Sequence, residues 1–288
     1  MLKYPDASIN NYYEYSSADG FAFAGAALAM QQQSSNEVAS LLEEVDKRNW
    51  RLNATIGINK VPVTINNDYV YTLWTCAEFF YILKDKQRLR EVANRIDAIG
   101  RYSYPINLVR YCSEEVNYVV PNVTSAAILV YTMVGRHGKA KKLLDIFLQQ
   151  QQPNGNWQYA TLVPKTGLRY TVFEDCYHLS MILYHLRAAN KINPQLKIHE
   201  ATTRIMTYLL KNKPRCTECR RSKNSWLCEG SIGWGIPMMF LGTYGLVDSK
   251  KHIQSLIKTT SYLNHPNFRV RSMAMWALEK INYLRVKI

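Results

Sequence analysis

Residues 121–151, PNVTSAAILVYTMVGRHGKAKKLLDIFLQQQ, contain two segments of different character. The first, residues 122–134, is apolar on nearly every side. The second, residues 138–151, places apolar residues at helical spacing between lysines and an aspartate. A helix that is apolar all round is buried, whereas an amphipathic helix keeps one face toward water. The stretch therefore predicts a helical hairpin with a buried inner helix and a solvent-facing outer helix.

The same pattern recurs along the chain with a period typical of one repeated supersecondary unit. An acidic or amide residue opens each apolar segment, at intervals of 49, 54, 53 and 54 residues: Asp19, Asp68, Asn122, Asp175 and Glu229. Apolar spacing predicts helices at 20–33, 37–50, 68–83, 86–99, 122–134, 138–151, 175–189, 196–212, 229–244, 249–263 and 267–284. We expect an all-α fold, an α/α toroid of about five to six helical hairpins forming one domain over residues 1–288. An open α-solenoid is the alternative.

Composition and charge restrict the class of partner. The chain is 47% hydrophobic and carries a formal net charge of +14, which favours a polyanionic partner such as an acidic glycan, a nucleic acid or an anionic membrane surface. A basic solvated surface explains the charge equally well, and neither lysine nor arginine clusters resemble a nucleic-acid recognition motif. The longest apolar run, residues 21–30, is too short to cross a bilayer. With no secretory signal in view, we expect a cytoplasmic protein.

Loop lengths indicate where a pocket lies. Long connections, residues 100–121, 152–174 and 213–228, enter the inner helices, whereas the connections inside each hairpin are short. Long ordered loops in compact domains tend to be functional. We therefore expect a pocket at the end where the inner-helix N-termini converge.

The residues at these helix starts are candidates for catalysis. Asp175 and His178 are i, i+3 neighbours, and Tyr177 adjoins them, so a carboxylate, an imidazole and a phenol are available for proton transfer. Asp68 and Glu229 are further carboxylate candidates, because paired carboxylates perform glycoside hydrolysis. Helix capping explains the acidic residues equally well.

Two segments resemble known families. Residues 121–126, PNVTSA, and 174–178, EDCYH, resemble inner-helix starts of glycan-processing α/α toroids, and residues 147–157 are similar to the Gln-Gly-Trp signature of terpenoid-cyclase-like toroids. The resemblance implies that amide, aromatic and basic residues hold a sugar: Asn122, Trp157, Tyr159, Trp234 and Arg169. Arg110 and Lys165 would also hold substrate anions. For Trp157 the alternative is a packing role over a helix end.

The cysteines offer a weaker hypothesis. Cys216 and Cys219 form a C-x-x-C pair, and Cys228 follows nine residues later. They make up part of a zinc-ligand pattern, which His178 or His199 could complete after folding. Free cysteines are the more common outcome, so we expect no cofactor, with zinc as the weaker possibility.

The last segment, residues 265–278, resembles a HEAT-type helical repeat. Three functional hypotheses follow from these observations. The first is a carbohydrate-active enzyme that acts on an acidic or polar glycan by hydrolysis, elimination or epimerisation. The second is a toroid acting on an isoprenoid or peptide substrate. The third is a non-catalytic HEAT-like scaffold that binds a protein or polyanion through a basic face.

Overall fold

A computed structural model describes residues 18–32, 35–58, 61–103, 106–113, 118–163, 167–171, 176–211, 235–246, 250–265 and 267–286. Within these ranges lie eleven α-helices and five short strands. The helices are α1 Asp19–Met30, α2 Ser35–Lys47, α3 Val70–Ile82, α4 Lys86–Ile99, α5 Pro121–Met133, α6 His137–Gln149, α7 Cys176–Ile192, α8 His199–Lys211, α9 Gly235–Gly242, α10 Lys250–Ser261 and α11 Phe268–Val286. The strands are β1 Leu52–Ile58, β2 Val61–Asn67, β3 Tyr118–Val119, β4 Tyr159–Val163 and β5 Gly167–Thr171.

The predicted helices are all found, and most begin and end within a few residues of the expected bounds. The expectation of a plain loop at 152–174 is wrong, because β4 and β5 pair there as an antiparallel hairpin and β3 joins them. A second hairpin, β1 with β2, precedes α3. These strands are rich in Val, Ile and Thr, which favour extended backbone. The strands are too short for the alternation of apolar and polar residues in their sequences to be recognised between the long apolar helices.

The chain divides into two compact units, residues 1–98, 112–114 and 259–288, and residues 99–111 and 115–258. In the first unit α1 packs against α3, α11 and α2. Its core contains an aromatic group of Phe23, Trp74 and Trp276, with ring centroids 4.8 to 6.2 Å apart. The inner helices α1 and α3 are buried on nearly every side, as their sequences predict.

Two buried ion pairs join α11 to the inner helices α1 and α3. Arg269 Nε on α11 donates to Asp19 Oδ2 on α1 at 2.6 Å, and Lys280 Nζ on α11 donates to Glu78 Oε2 on α3 at 2.5 Å. The Arg269 guanidinium lies 5.7 Å from the centroid of the Tyr71 ring. Burial raises the pKa of Tyr71, so its phenol stays protonated at neutral pH.

In the second unit α7 packs against α5 and α9, while α6 packs on α5 and α8 on α7. Close contact between α7 and α9 depends on Gly242, because a Cβ there would lie 2.5 Å from the Ser180 carbonyl oxygen. The outer helices α6 and α8 bury one apolar stripe each: Ala140, Leu143, Leu144 and Phe147 on α6, and Ala201, Ile205, Tyr208 and Leu209 on α8. This is the inner and outer division that the sequence predicts.

The turn after α6 is fixed by side chains of the second unit. Gly155 has a φ of +94° and a Cβ there would lie 2.6 Å from the Arg204 backbone, so only glycine fits. Gln151 donates to the Gly155 and Ala201 carbonyls, each at 3.1 Å. Its side-chain oxygen accepts from the Arg204 guanidinium at 2.7 and 3.0 Å. These bonds set the point from which β4 begins.

None of the helices in the described ranges combines the length and the apolar character that a membrane span requires.

Candidate functional site

Three of the predicted site residues lie close together in the second unit. Asn122 is the second residue of α5, His178 the third of α7, and Tyr159 the first of β4. The Tyr159 hydroxyl donates a hydrogen bond of 3.2 Å to Asn122 Oδ1. The ring centroids of Tyr159 and His178 are 5.6 Å apart, with an interplanar angle of 67°. We call these three residues the Asn-Tyr-His cluster.

Backbone pairing brings Tyr159 to the start of α5. The strand β3 directly precedes α5, and its Val119 pairs with Ala160 of β4. Tyr159 is therefore next to the first turn of α5. On the other side, Asn122 Nδ2 donates to the sulfur of Met181 on α7 at 3.2 Å. The Asn122 side chain thus connects the hairpin with α7.

A buried hydroxyl lies one turn after Asn122 on α5, and a buried imidazole lies one turn after Met181 on α7. Ser125 Oγ donates to the Asn122 carbonyl oxygen at 2.8 Å and lies 2.9 Å from His185 Nδ1. Because the hydroxyl has a single hydrogen, we assign His185 Nδ1–H as the donor to Ser125. Burial lowers the pKa of His185 to about 3, so its imidazole is neutral at pH 7. This pair holds the Asn122 backbone against α7.

Ser125, Met181 and His185 were not among the predicted site residues, although their spacing in the sequence carried a signal. Ser125 follows Asn122 by three residues, and Met181 and His185 follow His178 by three and seven. Residues at these spacings share one face of a helix. The spacing therefore places Asn122 and Ser125 on one face of α5, and His178, Met181 and His185 on one face of α7.

The cluster combines an amide, a phenol and an imidazole. Asn122 and Tyr159 are each 5% exposed, whereas His178 is partly exposed. A phenol and an imidazole can both give and take protons, and an amide can both donate and accept hydrogen bonds. The chemistry available here is therefore proton transfer and recognition of hydroxyl groups.

Two arginines belong to segments that are bonded to α5 or paired with β4. The Val109 backbone N–H donates to Thr124 Oγ1 on α5 at 3.1 Å, which places the next residue, Arg110, beside the start of α5. Arg169 of β5 pairs with Thr161, two residues after Tyr159 on β4. Both arginines were predicted to hold substrate anions.

Asp68 has a different environment, in the first unit. Its carboxylate accepts from Arg95 Nε at 3.0 Å and also from Arg95 Nη2, and Arg51 Nε lies 3.5 Å away. The capping interpretation is wrong for Asp68 and Asn122, because the residues at the cap positions of α3 and α5 are Tyr69 and Val120, with no side-chain cap. Asp68 instead binds arginines, and Asn122 binds Tyr159 and Met181.

Two other predicted residues are buried. Trp157 is 2% exposed, stacks on Phe147 with ring centroids 4.5 Å apart and donates from Nε1 to the Phe147 carbonyl at 3.0 Å. These contacts match the packing role over a helix end, so we leave Trp157 out of the proposed site. Tyr177 is also buried, in the first turn of α7, and its role as a proton carrier stays a prediction.

Several predicted residues lie outside the described ranges: Asp175, Glu229, Trp234, Lys165, Cys216, Cys219 and Cys228. The zinc hypothesis rests on three of them. Among the residues that the structure does describe, no group of three or more His, Cys, Asp or Glu side chains could hold a metal ion. Cys76 and Cys112, both in the first unit, are buried cysteines that take part in no disulfide.

No family model matches the sequence, and no curated protein matches it. Solved structures do resemble it. A family 76 glycoside hydrolase from a bovine Bacteroides thetaiotaomicron strain has a TM-score of 0.63 at 12% identity, over 98% of this chain and 71% of that one. A family 76 mannosidase from Bacteroides thetaiotaomicron has a TM-score of 0.64 at 11% identity, over 96% and 90%.

The third structure is the cellobiose 2-epimerase of Bacillus thermoamylovorans, with a TM-score of 0.53 at 12% identity, over 91% of this chain and 82% of that one. Identities this low concern the fold alone. These neighbours are α/α toroids rather than open solenoids. The HEAT-like resemblance of residues 265–278 stays a prediction, and in the structure they belong mostly to the single helix α11. The chain has the predicted α/α-toroid fold.

Proposed function

We propose that the protein is a carbohydrate-active enzyme that acts on an acidic or polar glycan at the N-terminal ends of α5 and α7. The observation that carries the proposal is the Asn-Tyr-His cluster, in which residues from a hairpin and two inner helices meet. Their amide, phenol and imidazole match the hydroxyl groups of a sugar. The proposal needs no cofactor.

The fold comparison supports the same class of substrate. Two of the structures that resemble the chain are family 76 glycoside hydrolases, one of them a mannosidase, and the third is a cellobiose epimerase. The net charge of +14 and the positions of Arg110 and Arg169 favour a glycan that carries anionic groups.

Within the proposal, His178 and Tyr159 transfer protons and Asn122 orients the sugar. Asp175 precedes α7 by one residue, so we propose it as a carboxylate at the same helix start. Glu229 and Trp234 keep their proposed roles as carboxylate and stacking residue. Asp68 belongs to the first unit, where two arginines bind its carboxylate, so its catalytic role stays a prediction outside the proposed site.

A thermal-shift screen tests the proposal. The wild-type protein is titrated with oligogalacturonate, mannobiose and cellobiose, and compared with Tyr159→Phe and His178→Gln. Tyr208→Phe and His199→Gln are matched controls, because they make the same chemical changes on α8 of the same unit. We expect at least one glycan to raise the melting temperature of the wild type and of both controls, and to lose most of that effect in the two cluster variants.

Two results would contradict the proposal. If none of the glycans stabilises the wild type, the carbohydrate assignment fails. If a generic polyanion such as polyphosphate stabilises every variant equally and no glycan does, the basic scaffold becomes the better hypothesis.

A further inference from the structure

We infer that α10 attaches the protein to the surface of an anionic lipid bilayer, with aliphatic side chains inserted among the lipids and lysines against the headgroups. The side chains that insert are Ile253, Leu256 and Ile257 of the second unit, and we call them the α10 face. Attachment to a membrane lies outside the glycan chemistry proposed for the starts of α5 and α7 and does not depend on it.

The α10 face is both apolar and exposed to solvent. Ile253 is 47% exposed, Leu256 37% and Ile257 65%. Residues separated by three and four positions lie on one side of a helix, so the three side chains form one continuous surface. Single apolar residues on a protein surface are ordinary, whereas a contiguous exposed group is typical of an interaction site.

The opposite side of α10 is polar and buried, which reverses the usual arrangement of an outer helix. His252 and Ser255 are 3% and 0% exposed. His252 Nδ1 lies 3.1 Å from Thr243 Oγ1, and the His252 ring stacks on Phe240 with centroids 5.2 Å apart. Ser255 Oγ donates to the His252 carbonyl at 2.8 Å. Because these contacts hold the polar side of α10 against α9 and the turn that follows it, the apolar side faces outward.

The charges of α10 favour an anionic partner. The helix contains Lys250, Lys251 and Lys258, and residues 249–278 include no Asp or Glu. The second helices of the other hairpins, α2, α4, α6 and α8, each contain at least one acidic residue. Lysines together with exposed leucine and isoleucine are typical of helices that lie in the interface of an anionic membrane.

A bilayer fits the α10 face better than a protein does. Lysine is depleted from the cores of protein interfaces, and leucine is under-represented among the residues that dominate their affinity. A symmetric dimer would place the same surface of each copy against the other, so two lysine-rich helices would meet. In a bilayer, by contrast, the aliphatic side chains enter the acyl boundary while the lysines remain at the headgroups.

Vesicle sedimentation with the full-length protein tests the inference. The mixed vesicles contain phosphatidylcholine and phosphatidylglycerol, and the neutral vesicles contain phosphatidylcholine alone. We expect the protein to sediment with the mixed vesicles and only weakly with the neutral ones, because stable attachment needs apolar insertion and attraction to anionic lipid together.

Variants at exposed positions separate insertion from adsorption by charge. Ile253→Ser combined with Ile257→Ser should weaken binding to the mixed vesicles by about tenfold or more, because two aliphatic side chains are removed. Ile253→Leu combined with Ile257→Leu is the matched control and should bind like the wild type. Lys258→Gln should weaken binding about fivefold, whereas Lys142→Gln, which removes an exposed positive charge from α6, should have a smaller effect.

Three results would overturn the inference. The first is no sedimentation of the wild type with the mixed vesicles. The second is equal binding of the wild type and a serine variant whose melting temperature is close to wild type, because the net charge of +14 would then explain the binding alone. The third is a dimer, measured by light scattering, that the serine variant converts to a monomer, which would assign the α10 face to a second copy of the chain.

Discussion

At the scale of single residues, the acidic residue that opens the first repeat stabilises the fold through an ion pair. Asp19 is fully buried and Arg269 is 4% exposed, with Oδ2 and Nε 2.6 Å apart. A buried ion pair stabilises the folded state little more than apolar side chains of similar volume would. Removing one partner, however, leaves an unpaired charge in the low-dielectric core. The regular spacing of acidic residues therefore does not by itself identify catalytic groups.

We expect Asp19→Asn to lower the free energy of unfolding by about 3–5 kcal/mol, because Arg269 then lacks its counter-charge. Urea denaturation followed by circular dichroism measures the change. Asp145→Asn is the control, since the pair of Asp145 with Lys141 is exposed on α6 and should contribute less than about 1 kcal/mol. Equal effects of the two substitutions would contradict the importance of burial.

The buried His185 predicts a pH dependence of stability. Its pKa falls from 6.5 to about 3 because of burial. Above pH 6.5 both the folded and unfolded states keep the imidazole neutral. Between pH 6.5 and about 3 only the unfolded state binds the proton, so stability decreases as pH falls, by about 1.4 kcal/mol per pH unit.

We expect His185→Gln to flatten the dependence of the unfolding free energy on pH in that window. Ser125→Ala is the matched control, because it removes the acceptor of the hydrogen bond from His185 Nδ1–H while leaving the imidazole in the core. The control should be destabilised at pH 7 but keep the wild-type slope. Identical slopes in wild type and His185→Gln would show that this histidine does not govern acid stability.

At the scale of elements, glycines set how closely the inner helices pack. Gly25 on α1 faces Phe79 on α3, and a Cβ at Gly25 would lie 2.6 Å from Phe79 Cε1. Phe79 is fully buried, so the ring cannot move into solvent. The close approach of α1 to α3 therefore needs a residue without a side chain.

We expect Gly25→Ala to lower the free energy of unfolding by about 1–3 kcal/mol through overpacking. Gly138→Ala in α6 is the control, because nothing lies within 4 Å of a Cβ at that position. The control should be neutral or stabilising by up to about 1 kcal/mol, since alanine favours the helix over glycine. Thermal unfolding of both variants gives the comparison, and a stabilised Gly25→Ala protein would contradict this account of the packing.

At the scale of the molecule, the first unit depends on contact between the two ends of the described chain. The C-terminal helix α11 packs on the first helix α1, and it supplies the partners of Asp19 and Glu78 as well as Trp276. Residues far apart in sequence thus complete one core. Such contacts also make folding slower, because long loops must close before they form.

We expect a protein that ends at His265 to lose cooperative unfolding, because two buried carboxylates then lack their cations and Phe23 loses an aromatic neighbour. Circular dichroism during heating measures this loss. A synthetic peptide of residues 266–288 added in trans should restore a cooperative transition. A truncated protein that unfolds like the wild type would show that α11 is not needed for the core of the first unit.

Local patterns in the sequence were sufficient to predict the helices, their pairing into inner and outer members, and the toroid as fold class. Periodicity at 3.6 residues and the apolar character of segments such as 122–134 depend only on neighbouring residues. Asn122, Tyr159 and His178 were predicted as separate candidates, Asn122 and His178 at the starts of two inner helices and Tyr159 as an aromatic residue that stacks on a sugar ring.

Only the tertiary structure decided which of these candidates meet. The pairing of Val119 with Ala160 brings Tyr159 to Asn122, and the packing of α5 on α7 adds His178 and the buried pair of Ser125 with His185. In the same way, only the tertiary structure shows that Asp19 forms an ion pair with Arg269 and Asp68 with Arg95. These partners are 27 to 250 residues apart in the chain, and no local propensity encodes a contact at such a separation.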